Sequence, residues 1–278
     1  MSKLVEITNM TKSFGKKVIL KDVDIEINER DSIALVGHNG CGKSTLLKII
    51  CGLTSVSRGN IKYYKNVKFN YVPERFPKIS ITPQQYILRT ALIEGLAKDE
   101  INKKSYELFR EFFMENIIST PIKYLSKGSI QKVNVIQALI TKPDILLLDE
   151  PLSGQDVDSQ KVFIELVHKL INDGVAIVMS CHEEILINAL SNVVYEVKEK
   201  NIQRRSALEK VNRNYDVLVF KENASLNEKY KNINESIRKV DNNGNEIKLF
   251  VSEDNSNTVL KEMINYGYKL RRMYNENF

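Results

Sequence analysis

Short apolar runs alternate with amphipathic segments along most of this chain. Residues 4–8, 18–27 and 32–36 have the pattern of strands, and the runs at 145–149 and 175–180 predict two further, buried strands. The opening segments look antiparallel, whereas strands separated by helical segments are typical of a mostly parallel core sheet. The pattern therefore predicts an α/β fold with a mixed sheet.

The segments between the strands have the periodicity of helices. The region 82–115 is helical in pattern, and Thr82 is a suitable N-cap with Gln85 three residues after it. A second helix is predicted over 126–138, and apolar positions at helical spacing predict another between the last two strands.

The chain beyond residue 205 has a different pattern. Its predicted strands are 215–220, 247–251 and 268–272. The segment 258–266 predicts a helix, and the polar run at 241–245 predicts a turn. We therefore expect a larger domain at 1–205 and a small α+β appendage at 206–278.

The composition is that of an ordinary globular protein, since 42% of the 278 residues are hydrophobic and 27% are charged. No apolar run approaches the roughly 20 residues that cross a bilayer, and the opening residues lack the apolar core of a secretory signal. Cys41, Cys51 and Cys181 lack the spacing of metal ligands and fit a reducing compartment. Without an apolar span or a signal, we expect a cytoplasmic protein. The basic residues that give the net charge of +6 are interleaved with acidic residues, so we expect no nucleic-acid partner.

The segment 37–45, GHNGCGKST, fits the phosphate-loop pattern G-x-x-x-x-G-K-[ST] between a predicted strand and a predicted helix. Its glycines let backbone N–H groups point inward toward phosphate oxygens at a helix N-terminus. Lys43 would reach the terminal phosphates, and Ser44 would offer its hydroxyl to Mg²⁺. The alternative is a glycine-rich turn before a helix. The nucleotide-binding residues predicted here are Gly37, Asn39, Gly40, Cys41, Gly42, Lys43, Ser44 and Thr45.

The apolar strand 145–149 delivers two adjacent carboxylates at its C-terminal end. Ligands of open α/β sheets gather at that end of the strands. Asp149 would therefore face a bound Mg²⁺, and Glu150 would face an attacking water. The alternative is an acidic strand end that contacts only solvent.

The segment YLSKGSIQ at 124–131 resembles the signature of ATP-binding cassette (ABC) proteins. Other motifs of that family follow in the same order over roughly residues 3 to 205. They are Phe14, the phosphate loop 37–45, YVPE at 71–74, Asp149 with Glu150, the D-loop SGQD at 153–156, and SCHE at 180–183. The chain is therefore similar to the nucleotide-binding subunits of ABC transporters.

The resemblance implies a P-loop NTPase fold, namely a mixed core sheet with an antiparallel β part and a helical subdomain at about 75–140. It implies ATP and Mg²⁺ as ligands, with Phe14 stacked on adenine. Ser126 and Gly128 open a helix that, in the family, binds the terminal phosphate held by a second copy. Two cassettes would then form a head-to-tail dimer around two ATP molecules.

The resemblance also implies the catalytic roles. Glu150 polarises the attacking water, Lys43 stabilises the phosphate charge, and His182 contacts the terminal phosphate and holds Glu150 in line. Ser44, Glu74 and Asp149 would hold the metal. A histidine after a strand is otherwise often structural.

Several residues depart from the usual family pattern. Glu74 stands where the family has Gln, Lys127 replaces a signature glycine, Ser129 replaces the terminal signature Gln, and Gln155 replaces a D-loop Leu. Signatures with such changes occur in bacterial exporters of drugs or antimicrobial peptides.

The sequence thus predicts an ATPase subunit, peripheral at the inner face of the membrane, that drives a separate integral membrane transporter subunit through the region 75–104. The alternatives are a non-transport ABC ATPase that acts on ribosomes or nucleic acid, and a slow ATP sensor. The sensor is suggested by Glu74.

Overall fold

The computed structural model describes residues 2–205, 215–221, 237–242 and 246–276. The chain divides into two compact units, Met1–Leu208 and Glu209–Phe278. The strands of the first unit are β1 (Lys3–Phe14), β2 (Lys17–Asn28), β3 (Ser32–Val36), β4 (Arg58–Tyr63), β5 (Phe69–Val72), β6 (Ile145–Asp149), β7 (Ala176–Ser180), β8 (Val193–Lys198) and β9 (Asn201–Arg204). Its helices are α1 (Lys43–Ile50), α2 (Pro83–Ile93), α3 (Lys98–Glu111), α4 (Lys127–Leu139), α5 (Val157–Asn172) and α6 (Glu184–Leu190).

A six-stranded sheet with the order β5-β6-β7-β3-β8-β9 forms the centre of this unit. All of its pairs are parallel except β8 with β9. Every residue of β3, β6 and β7 is buried, which explains their continuous apolar sequences. Ser180 pairs with Leu35 on one side and Asp149 on the other, so the carboxyl ends of these strands are level.

A three-stranded antiparallel sheet, with the order β2-β1-β4, packs beside the central sheet. The alternation expected for β2 is present, since Val23, Ile25 and Ile27 are buried and the residues between them are exposed. β1 is longer than the predicted strand because it continues to a hairpin at Gly15, where φ is +58°. The predicted mixed fold with an antiparallel part is confirmed.

The predicted helical region 82–115 contains two helices, α2 and α3, separated at Gly95, where φ is +90°. The capping box at Thr82 is confirmed, because its hydroxyl accepts from the backbone N–H of Gln85 at 3.2 Å while the Gln85 side chain accepts from the backbone of Thr82. Short 3₁₀ turns follow, and Ser126 then caps the N-terminus of α4.

The second unit contains β10 (Tyr215–Lys221), β11 (Ile237–Asn242), β12 (Glu246–Ser252), α7 (Glu253–Asn265) and β13 (Lys269–Glu276). Its antiparallel sheet has the order β11-β12-β10-β13. Apolar residues of the sheet, such as Leu218 and Leu249, form a core with Val259 and Met263 of α7. The three predicted strands and the helix are present, although α7 begins five residues earlier than 258. The predicted turn at 241–245 lies partly outside the described residues.

Candidate functional site

A cavity of about 350 Å³ lies at the carboxyl end of the central sheet. The phosphate loop follows β3, Glu150 follows β6, and His182 follows β7, so the sheet itself gathers these groups at one edge. The residues that line the cavity are Ile19, Asn39, Gly40, Gly42, Lys43, Ser44, Thr45, Glu74, Arg75 and Glu150.

The backbone of the phosphate loop requires glycine at two points. At Gly37, where φ is +146°, a Cβ would lie 2.5 Å from the carbonyl oxygen of Val197. Gly42 has φ of +119° and is the N-cap of α1, and a Cβ there would lie 3.0 Å from the Leu20 side chain. The loop therefore presents the N-terminus of α1 to the cavity, which is the arrangement that favours an anion.

The Lys43 side chain is 6% exposed and crosses back over the loop. Its Nζ donates to the carbonyl oxygen of Gly37 at 2.7 Å and to that of His38 at 3.3 Å. A buried ammonium is tolerated because these bonds replace its hydration. The same Nζ lies 3.1 Å from Nε2 of His182, which places the cation between the phosphate loop and the end of β7.

Asp149 is a buried carboxylate, 3% exposed, that accepts hydrogen bonds from three hydroxyl groups. Oδ1 accepts from Ser44 Oγ at 3.0 Å and from Ser180 Oγ at 2.5 Å. Oδ2 accepts from the Tyr71 hydroxyl at 3.2 Å. Burial of Tyr71, together with the charge of Asp149, raises the pKa of the Tyr71 hydroxyl well above its usual range, so this group stays a donor.

Glu150 has a left-handed backbone, with φ of +49°. This conformation costs a non-glycine residue about 1–3 kcal/mol and is frequent at functional sites. The turn is held by the N–H of Glu150, which donates to the carbonyl oxygen of Ser180 at 3.0 Å. As a result Oε1 of Glu150 lies 3.3 Å from Nε2 of His182.

Nε2 of His182 therefore meets three side chains. It lies 3.0 Å from Oδ1 of Asn39, 3.1 Å from the Lys43 ammonium and 3.3 Å from Glu150. One ring nitrogen either accepts from Lys43 or donates to Asn39 or Glu150, according to whether it carries the proton. A proton on Nε2 thus decides whether this atom donates to Asn39 or Glu150, or instead accepts from Lys43.

Glu74 lies in the cavity wall with its side chain 44% exposed, and Oε1 is 3.8 Å from Nε of Arg75. Glu74 and Ser44 line the cavity, and Asp149, which contacts the Ser44 hydroxyl, supplies a further carboxylate. Hard oxygen ligands of this kind suit Mg²⁺, and the fit is supported by the Ser44 hydroxyl, which already contacts Asp149.

Phe14 lies at the tip of the β1–β2 hairpin, and 54% of its surface is exposed. The ammonium of Lys12 is 4.5 Å from its ring centroid. Phe14 is not among the described residues that line the cavity. The adenine role implied by the resemblance therefore stays a prediction.

The signature residues Lys127 and Gly128 lie against the D-loop of the same chain. Lys127 Nζ donates to Ser153 Oγ at 2.8 Å. A Cβ on Gly128 would lie 2.1 Å from the carbonyl oxygen of Gly154, so only glycine fits. Neither Ser126 nor Gly128 is among the described residues that line the cavity.

Sequence reasoning missed four residues of the site. Tyr71 and Ser180 bind Asp149, while Ile19 and Arg75 line the cavity. Tyr71 and Ser180 lie at the ends of the strands on either side of β6, but no local sequence pattern predicts that strand order.

Cys181, next to His182, is no alternative nucleophile, because burial raises the pKa of its thiol to about 12.

Comparison with known proteins gives the family. A family model described as ABC transporter matches residues 20–153. An uncharacterized ABC transporter ATP-binding protein of Methanocaldococcus jannaschii is 30% identical over 227 residues, which are 81% of this chain and 86% of that protein. The zinc import ATP-binding protein ZnuC of Mannheimia succiniciproducens is 32% identical over 195 residues, which are 69% of this chain and 71% of the relative. A solved structure described as the ATP-binding subunit of an ABC transporter matches with a TM-score of 0.68 at 26% identity, covering 76% of this chain and 92% of the other.

The chain therefore belongs to the family of ABC transporter ATP-binding proteins. It is an ABC-type ATPase, the subunit whose ATP hydrolysis energises a transporter. Cassettes of this class pair with membrane subunits and dimerise. Within the described part of this chain, no helix has the length and apolar character needed to span a membrane.

Proposed function

We propose that this chain hydrolyses ATP at the cavity beside the phosphate loop and so drives a separate integral membrane partner. One observation carries the assignment of residues. A phosphate-loop lysine, Lys43, and a strand-end carboxylate, Glu150, both lie close to a single nitrogen of His182. A cation, a general base and an orienting group thus converge where the N-terminus of α1 favours phosphate.

The residues would divide the work in the following way. Lys43 and the loop N–H groups stabilise charge on the terminal phosphates. Glu150 polarises the attacking water and takes its proton, which typically contributes about 10²–10⁴-fold in rate. His182 orients Glu150 and contacts the terminal phosphate, and Phe14 stacks on adenine.

Mg²⁺ would be held by Ser44, Glu74 and Asp149, whose oxygens suit it. The ion would neutralise charge between the phosphates. In the site, Asp149 is oriented by its hydroxyl donors, and Glu74 adds a negative charge that the usual Gln would not.

A second copy of the chain would complete each site. Ser126 caps α4 and Gly128 lies in its first turn, so this helix N-terminus is suited to a phosphate of ATP bound by the other copy. Because Lys127 and Gly128 contact the D-loop, the phosphate-binding turn and the loop after Glu150 would move together.

We further propose a cassette at 1–205 with its helical subdomain at about 75–140, and a separate α+β domain at 206–278. The boundary between the two compact units falls after Leu208 in the sequence, which supports this division. The helical region 75–104 would receive the membrane partner.

Two observations favour opposite directions of transport. The signature of this chain resembles that of drug and antimicrobial-peptide exporters, whereas the Mannheimia relative is named for zinc import. Proteoliposomes that contain the chain and its membrane partner, with the cassette on the outer surface, distinguish export from import. With added ATP, an exporter fills the vesicles with a fluorescent hydrophobic cation, and a zinc importer empties them of preloaded Zn²⁺.

Affinity purification of the tagged full chain tests the proposal itself. From detergent-solubilised membranes, we expect a multi-span protein to copurify and to raise ATP turnover, and Lys43→Ala to abolish that turnover while leaving copurification intact. Recovery with ribosomes or nucleic acid, without a membrane protein, would favour the non-transport alternative.

A further inference from the structure

Tyr71 is placed to hold the buried carboxylate of Asp149. Tyr71 lies on β5 and pairs in register with Leu147 of β6, so its side chain reaches the end of β6 from the neighbouring strand. Its hydroxyl donates to Oδ2 of Asp149 at 3.2 Å. The ring packs against the apolar core beneath the sheet and is only partly exposed, which limits the positions that the hydroxyl can take.

The other two donors bind the opposite oxygen of the same carboxylate. Ser44 of α1 and Ser180 of β7 both donate to Oδ1. Rotation of a carboxylate about its terminal bond is soft, because that torsion is broad. Donors on Oδ1 alone would leave Oδ2 free to swing, whereas Tyr71 fixes the plane from the other side.

We propose that Tyr71 is a positioning residue of the magnesium site, acting through Asp149 rather than on the metal or the nucleotide. This inference rests on the proposed function, in which Asp149 is a metal ligand. Groups that orient a metal ligand typically change metal affinity or activity by about 10–100-fold when removed. Tyr71 would thus determine how much Mg²⁺ strengthens nucleotide binding.

The test measures the Kd of a fluorescent ATP analogue in EDTA and divides it by the Kd in Mg²⁺, so that a larger ratio means that Mg²⁺ strengthens binding more. For Tyr71→Phe, we expect the ratio of the two constants to fall about 10-fold, with the Kd in EDTA unchanged. Ser180→Ala, which removes a donor to Oδ1, should lower the same ratio. The matched control is Tyr64→Phe, since Tyr64 also donates to a carboxylate, that of Glu6, at 2.6 Å.

An unchanged ratio in Tyr71→Phe would overturn the proposal. The ratio also stays unchanged if binding weakens equally in Mg²⁺ and in EDTA, and that result would show a general structural role of Tyr71. Failure of the proposed function itself looks different. In that case Asp149→Asn and the wild-type chain would both bind the analogue equally well with and without Mg²⁺, and Tyr71 would have no metal site to position.

Discussion

Oε1 of Glu150 lies 3.3 Å from Nε2 of His182, although the two residues follow different strands. They meet because β6 and β7 are adjacent and end level, with Asp149 paired to Ser180. The left-handed backbone of Glu150 then turns its carboxylate back toward the end of β7. The contact is therefore a product of sheet register and of one strained residue.

This geometry predicts the effect of Glu150→Gln. The amide keeps the shape of the side chain but cannot take a proton from water, so turnover should fall by about 10²–10⁴-fold. ATP binding should persist, because the phosphate loop is intact. Steady-state ATPase assays measure the first effect, and solution scattering with ATP should show a dimer.

Glu165→Gln is the matched control, since Glu165 is an exposed residue on α5. It should hydrolyse ATP at the wild-type rate. Normal turnover in Glu150→Gln would remove Glu150 from its role as a general base. A strictly monomeric Glu150→Gln variant, even with saturating ATP and the membrane partner, would remove the head-to-tail dimer.

Local patterns were sufficient for the parts of the site that a single segment encodes. The strand–loop–helix around Lys43 and the carboxylates after 145–149 follow from apolar runs and glycine spacing. Side chains from other strands could not be placed, because the order β5-β6-β7-β3 depends on long-range packing. The hydroxyls of Tyr71 and Ser180 on Asp149 were missed for that reason.

Strands that bury little of their surface were also missed. β4 has the sequence RGNIKY and is exposed at all positions but one, so it shows no apolar periodicity. The edge strand β9 likewise shows no apolar periodicity, because only Ile202 is buried. The local sequence of neither segment predicts a strand, and both strands are held by pairing with a neighbouring strand.

A second prediction concerns the charge of Glu74. Because its carboxylate lines the nucleotide cavity, Glu74→Gln should tighten the binding of ATP without Mg²⁺ by about 3-fold, a small effect since the group is 44% exposed and screened. Arg75→Gln should weaken binding by a similar factor. Fluorescent-nucleotide titrations at low and high salt measure both, and the differences should shrink with salt. A large gain in turnover in Glu74→Gln would favour the slow ATP sensor.

A third prediction concerns the close contact between the signature and the D-loop. Gly128→Ala should destabilise the fold by about 1–3 kcal/mol, because the added methyl would meet the Gly154 carbonyl at 2.1 Å and force the backbones apart. Urea unfolding measures the change. Lys127→Ala, which removes only an exposed hydrogen bond, should cost about 0.5 kcal/mol. Equal stability of the two variants would show that the contact relaxes freely.

The last prediction concerns pH and the ion pair between Asp156 and Lys132. Asp156 caps α5, and its Oδ2 accepts from the Lys132 ammonium at 2.7 Å. The hydrogen bond from Lys132 is the main reason that the pKa of Asp156 lies well below its ordinary value. Asp156→Asn keeps a good N-cap but loses the charge, and because Asp156 is 57% exposed the cost at pH 7 should be about 0.5–1 kcal/mol.

The pH dependence of that cost identifies its origin. A carboxylate with a lowered folded-state pKa stabilises fully above the unfolded pKa of about 3.9, and this contribution is lost as the pH falls toward the folded-state value. The difference in unfolding free energy between wild type and Asp156→Asn should therefore be constant from pH 7 to about 5 and then shrink in acid. Lys132 retains a bond to the Phe112 carbonyl at 3.1 Å in the variant, so the fold should survive the change. A difference that stays constant down to pH 2 would show that the charge of Asp156, and therefore its ion pair with Lys132, is not the source of the cost.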